Sequence, residues 1–174
     1  MRNLIYEPAE DSYFLKEVIE KNFSKVRNKK ILEMGFGSGF LLEFLQTLKP
    51  KKLVGVDIND EAVRRASKKG FDVRKSNLFS SLDEKFDVIV FNPPYLPDDE
   101  NEDDDSKVAT TGGKNGSEII NEFLKQSEKF LEKNGKIFLL TSSLTKKINW
   151  RNYKKKKLGE KKLFFETLTV WELN

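Results

Sequence analysis

The chain contains no cysteine and no histidine among its 174 residues. Without them there is no disulfide framework, no thiolate nucleophile, no imidazole base and no Cys/His zinc site. No apolar run approaches the roughly 18 residues of a membrane span. The opening, Met1 to Glu7, has no apolar core of a secretory signal. These absences point to a cytoplasmic protein. Its chemistry must come from carboxylates, amides, hydroxyls, lysines, backbone groups or a bound cofactor.

What is present is ordinary for a globular protein, with 37% hydrophobic and 34% charged residues. The length suits one domain over 1–174 that buries its own core, and there is no internal repeat or linker. The net charge of +4 is unevenly distributed. Residues 98–105 (DDENEDDD) carry seven acids and no base, whereas residues 146–162 carry nine Lys or Arg and only Glu160 as an acid. Such blocks are solvated faces, or they steer a charged partner, and these two act oppositely on a polyanion.

Hydrophobic spacing sets out the elements. Pro8 is placed to open a helix whose buried face carries Phe14, Leu15, Val18, Ile19 and Phe23. Strands are expected at 30–34, 52–57, 71–74, 86–91 and 136–141, and helices at 40–48, 60–69 and 117–132, the last stopping at Asn134-Gly135. Residues 163–166 and 167–173 form two further β-rich pieces, and 96–116 is a long polar loop. Alternating strands and helices imply a mainly parallel sheet covered on both faces, with the ligand at the carboxyl ends of the strands.

Those strand ends carry the informative residues. The turn Glu33-x-Gly35-x-Gly37-x-Gly39 is not the G-x-G-x-x-G of a dinucleotide site, because position 40 is Phe. Glycines there allow positive φ and close approach of a ligand to the backbone. Asp57 ends the next strand, where a carboxylate either accepts both hydroxyls of an adenosine ribose or caps the following helix. Asn92-Pro93-Pro94-Tyr95 ends the fourth strand. Its prolines fix φ and remove donors, so the Asn92 side-chain oxygen and the Pro93 carbonyl form a rigid acceptor pair, matched to the two hydrogens of a planar NH₂ group. The ring of Tyr95 can pack on that flat group. Beside a nucleoside pocket, this is the layout for methyl transfer to nitrogen.

On these residues the chain resembles class I S-adenosylmethionine-dependent methyltransferases, and more narrowly the HemK/PrmC group that methylates glutamine in release factors. Tyr6-Glu7-Pro8-Ala9-Glu10-Asp11-Ser12 resembles the YEPAED-[ST] entry of the archaeal and eukaryotic branch. Gly112-Gly113-Lys114-Asn115-Gly116 with Glu118 resembles its GG-x-[ND]-G-x-E loop, and residues 166–170 its closing strand. The resemblance implies a single Rossmann-like domain with a seven-stranded, mainly parallel sheet, helices on both faces and an antiparallel C-terminal strand. It implies that Glu33, Gly35 and Gly37 line the cofactor, that Asp57 holds its ribose, and that Ser12 lies near its methionine end. Asn77 and Leu78 stand where the family has Asp-Leu beside the adenine. Asn92, Pro93, Pro94 and Tyr95 take the catalytic positions, Asn92 also touching the cofactor, and no metal is implied.

The implied substrate is the Gly-Gly-Gln glutamine of a class I release factor, with a small zinc-binding activator as partner. Residues 71–74 would be the exposed edge strand that can accept another chain. Alternatives remain open. NPPY also occurs in adenine-N6 and guanine-N2 methyltransferases, which the net basic charge and basic C-terminal third suit. The same acceptors could hold a lysine ammonium, and Asn77 in place of the acid would suit a catalytically silent binding subunit. The acidic run, starting three residues after Tyr95, would repel a phosphate backbone and attract a basic protein.

Overall fold

A computed structural model of the chain describes residues 5–22, 24, 26–98 and 110–174. The expected burial of Phe23 and nearly all of the acidic run lie outside these residues. Four helices and seven strands are described: α1 (Glu10–Lys21), β1 (Lys30–Met34), α2 (Phe40–Thr47), β2 (Lys52–Asp57), α3 (Asp60–Lys68), β3 (Asp72–Lys75), β4 (Phe86–Phe91), α4 (Glu118–Ser127), β5 (Leu131–Ser142), β6 (Lys155–Lys162) and β7 (Thr167–Leu173).

The strands form one sheet in the order β3-β2-β1-β4-β5-β7-β6. The first five are mutually parallel, and β7 runs antiparallel between β5 and β6. Strand order reverses between β1 and β4, so their carboxyl ends open the crevice in which ligands of such sheets bind. The central strands are apolar on both sides because each pleat face is covered. Ile31, Leu53, Val88 and Val90 pack with α1, α2 and α3 on one face, while Leu32, Met34, Val54 and Ile89 pack with Ile120, Phe123 and Leu124 of α4 on the other.

Three expected elements shift. Pro8 is not the first helical residue: Ala9 is the N-cap and α1 begins at Glu10. The helix expected to reach residue 132 ends at Ser127 and continues as one 3₁₀ turn, Glu128–Phe130. There Phe130 stacks on Phe79, with centroids 4.6 Å apart, and Leu131 pairs with Phe86 to begin β5. Asn134, at φ 67°, is absorbed as an irregularity within β5 rather than stopping a helix. Helix propensity yields here to an aromatic stack and a strand pairing.

The third shift is β6, which lies at 155–162 rather than 163–166. Its five lysines conceal it from hydropathy, yet they suit an edge strand, where charge discourages pairing with other chains. Residues 163–166 instead form the hairpin turn into β7. At the opposite edge is β3, as expected of residues 71–74. No helix among the described residues is long and apolar enough to cross a membrane.

Candidate active site

The glycine turn leaves β1 with Gly35, Gly37 and Gly39 all at positive φ. Asp57, at the end of β2, holds that turn in place: Oδ2 accepts from the Gly37 N–H and Oδ1 from the Asn59 N–H, each at 2.8 Å. The alternative role for Asp57, capping α3, belongs to Asn59, whose side chain accepts from the Glu61 and Ala62 amides. Burial pushes the Asp57 carboxyl up, and the backbone donors at Asn59 and Gly37 pull it partly back.

A cavity of about 460 Å³ opens at the carboxyl ends of β1, β2 and β4. Gly35, Gly37, Asp57, Asn77, Leu78, Asn92, Pro93, Pro94 and Tyr95 all line it, so the structure brings together most of the residues singled out from sequence. Leu78 is held in left-handed backbone (φ 49°), with its carbonyl accepting from Ser76 Oγ at 2.7 Å. A non-glycine residue there costs on the order of 1 kcal/mol, which the Ser76 turn offsets. The Asn77 side chain is exposed at the rim.

Two expected residues stand apart from the lining. Ser12 is buried against Asp11, its N–H donating to Asp11 Oδ1 at 2.6 Å. Glu33 lies beneath the floor in central strand β1, 2% exposed, with Oε2 buried and without a partner among the described residues. Burial, reinforced by the negative charge of Asp57, holds the Glu33 carboxyl well above the usual carboxylate range.

Sequence reading assigned no role to Asp11, which organises the catalytic end. It is 4% exposed and accepts from the Tyr6 hydroxyl through both oxygens, and from Asn92 Nδ2 through Oδ2, all at 2.9 Å. A carboxylate can only accept, so it fixes the Asn92 amide with its nitrogen inward. Asn92 Oδ1 is left buried without a partner among the described residues. The hydroxyls of Tyr6 and Tyr95 are pushed upward, by burial first and then by the Asp11 charge, and remain donors throughout the physiological range.

The loop at 112–116 buttresses this end. Gly112 N–H donates to the Leu96 carbonyl at 2.9 Å, and Thr145 Oγ1 to the Tyr95 carbonyl at 2.9 Å. Glu118 accepts from the Asn115 backbone and side chain, closing the loop onto α4. A Cβ on Gly112 would lie impossibly close to the carbonyls of Pro94 and Gly116. Gly112→Ala is therefore expected to displace the Asn92 to Tyr95 segment and destabilise the fold by about 1 to 3 kcal/mol. Methyl transfer should fall more than cofactor affinity, as turnover measured beside calorimetric binding would show; unchanged turnover would contradict this packing.

Asp11, Asp57, Glu118 and Glu122 line the cavity, whereas no described lysine or arginine does. With the orphaned oxygen of Asn92 added, the surroundings are electronegative and acceptor-rich. A ligand bearing an ammonium, a sulfonium and a ribose diol fits this donor-poor set, which S-adenosylmethionine supplies. Fold and site together define a class I methyltransferase.

The chain belongs to the Methyltransferase small domain family, which it matches over residues 10–164. It is 43% identical over 149 residues to MJ0928 of Methanocaldococcus jannaschii, a candidate protein N5-glutamine methyltransferase, covering 81% of this chain and 74% of that protein. To the human methyltransferase HEMK2 it is 34% identical over 153 residues, covering 79% and 71%. A chain of the E. cuniculi Mtq2–Trm112 complex, responsible for methylation of the termination factor eRF1, superposes with a TM-score of 0.78 at 26% identity over 98% of both chains.

Glu33 provides a pH prediction. A carboxyl raised in the fold keeps a proton that the unfolded chain releases, so stability falls as pH climbs from the ordinary carboxylate range toward the raised value. Glu33→Gln removes that dependence. Thermal melts without cofactor between pH 5 and 9 should show a flatter curve for the variant and a higher melting temperature at pH 8. Parallel curves would contradict the burial argument.

Proposed function

We infer that the protein is an S-adenosylmethionine-dependent protein-(glutamine-N5) methyltransferase acting on the Gly-Gly-Gln motif of a class I release factor. The observation that carries this reading is the orphaned Asn92 Oδ1, buried beside the cavity while Asp11 holds its amide nitrogen. An acceptor prepared in this way suits an amide NH₂. The names of the relatives support the same substrate class, since MJ0928 is a candidate protein N5-glutamine methyltransferase and the Mtq2–Trm112 complex is responsible for methylation of eRF1.

Asp57 is assigned the ribose hydroxyls, Asn77 and Leu78 the adenine, and Glu33 with the glycine turn the amino-acid end of the cofactor. Ser12 acts through Asp11. The cofactor supplies an electrophilic methyl carbon on its sulfonium, so these residues need only align the nucleophile. Asn92 Oδ1 and the Pro93 carbonyl accept the two amide hydrogens and orient the nitrogen. They stabilise the positive charge developing on it, and one proton then leaves to solvent. Tyr95 packs on the amide plane and Pro94 holds the loop stiff. No general base is required, in keeping with a chain that lacks histidine.

The domain spans 1–174, works with a small zinc-binding activator seated at the β3 edge, and acts in the cytoplasm, where its substrate is used. The electronegative cavity disfavours the second reading, a nucleic-acid amino-group methyltransferase, because four carboxylates and no described lysine or arginine line it. Methyl-label transfer from the cofactor, offered release factor and ribosomal RNA in parallel with and without activator, tests the choice. Label in protein alone supports it, and label in RNA alone overturns it.

A further inference from the structure

The turn between β6 and β7 carries two large aromatic residues at its tip. Lys162 pairs with Thr167, and the Leu163 N–H donates to the Glu166 carbonyl at 2.8 Å, which leaves Phe164 and Phe165 as the two central residues. Two-residue hairpin turns favour Asn-Gly and similar pairs with positive φ. Here the non-glycine residues at positive φ include neither phenylalanine. Their side chains are 103% and 70% exposed, more than any other large apolar residue described. The backbone tolerates them without requiring them and the core does not use them, and exposed apolar pairs of this kind mark interaction surfaces.

Topology places this tip at the rim that carries the active site. β7 is antiparallel to β5, so its first residues lie beside Ser142, at the same carboxyl-end rim as Asn92 of β4. The next residue after the pair, Glu166, is buried and accepts from Ser142 Oγ; its charge reaches the hydroxyls of Tyr6 and Tyr95. Three residues beyond Ser142, Thr145 holds the Tyr95 carbonyl. The phenylalanines are thus tied to the catalytic loop through two short hydrogen-bonded segments. Behind them stand Lys161 and Lys162, of which Lys162 is exposed and has no ion pair among the described residues.

We propose that Phe164 and Phe165 form a docking tip for the protein substrate, gripping an apolar patch flanked by acidic side chains next to the loop that enters the active site. The inference rests on the protein-substrate reading above. Protein is favoured over RNA because the cavity at this rim is lined by carboxylates and by no described lysine or arginine, whereas the lysines behind the tip match acidic residues on a protein.

The test compares two substrates, intact release factor and a short synthetic peptide spanning Gly-Gly-Gln, with the chain and its activator together. Two double variants are used, so that the result does not depend on one replacement: Phe164→Asn with Phe165→Gly, and Phe164→Ser with Phe165→Ser. Both should raise KM for the intact factor about tenfold or more, the scale of losing an aromatic anchor. Saturating kcat and all peptide rates should stay unchanged.

Unchanged KM for the intact factor, an equal loss on the peptide, or loss of activator co-purification overturns the proposal. So does a self-association that the substitutions abolish, or competition by an RNA oligonucleotide that depends on the phenylalanines. If the unsubstituted protein methylates neither substrate, the function itself is wrong, an outcome distinct from normal transfer that ignores the tip.

Discussion

Asn92→Ala is expected to lower turnover about 10²- to 10³-fold, the cost typical of removing one preorganised acceptor or donor from a charge-developing transition state. Cofactor affinity should change only a few-fold, because Asp57, the glycine turn and the Asn77-Leu78 segment remain in place. The asymmetry follows from the structure. Asn92 Oδ1 has no partner among the described residues, so the substitution removes an acceptor without abandoning an internal hydrogen bond to it. It does release Nδ2 from Asp11, which Tyr6 and the Ser12 amide continue to satisfy. Turnover at saturating substrate beside calorimetric cofactor binding reads the split. Equal losses in both would assign Asn92 to cofactor binding alone.

Asp11→Asn carries the second large effect, about 10- to 100-fold in turnover, by the same scale applied to misplacement rather than loss of the acceptor. The substituted amide brings donors of its own to a site where Tyr6, Ser12 and Asn92 all donate. One amide must turn, and turning Asn92 would put its NH₂ where the substrate needs an acceptor. Asp11 is a positioning residue, so its loss should be strongly non-additive with that of Asn92. Asp11→Asn on top of Asn92→Ala is expected to cost almost nothing further in turnover. Independent, additive losses would contradict an action through the Asn92 amide.

Much of the site was legible because strand ends in a parallel sheet announce themselves. Residues 86–91 are buried on both faces and read as an apolar run, so Asn92 to Tyr95 fell where such a run must stop. The glycine turn and Asp57 were found by the same logic. Asp11 escaped because its role depends on a contact 81 residues away in the chain, and a buried acid at the start of a helix looks like an ordinary first-turn residue. The lysines of β6 disguised a strand as a solvated run, and Phe164-Phe165 disguised a turn as a strand. Both errors arise from reading hydropathy where the sheet edge and the hairpin obey other constraints. The boundary of α4 was lost to the Phe79–Phe130 stack, a contact between elements that local propensity does not record.

The most direct test is mass spectrometry of release factor incubated with the protein, its activator and methyl-labelled S-adenosylmethionine. The account predicts a single added methyl on the glutamine of Gly-Gly-Gln, absent when Asn92→Ala replaces the unsubstituted protein. Label on lysine or on RNA, or label on that glutamine that survives Asn92→Ala, would contradict it.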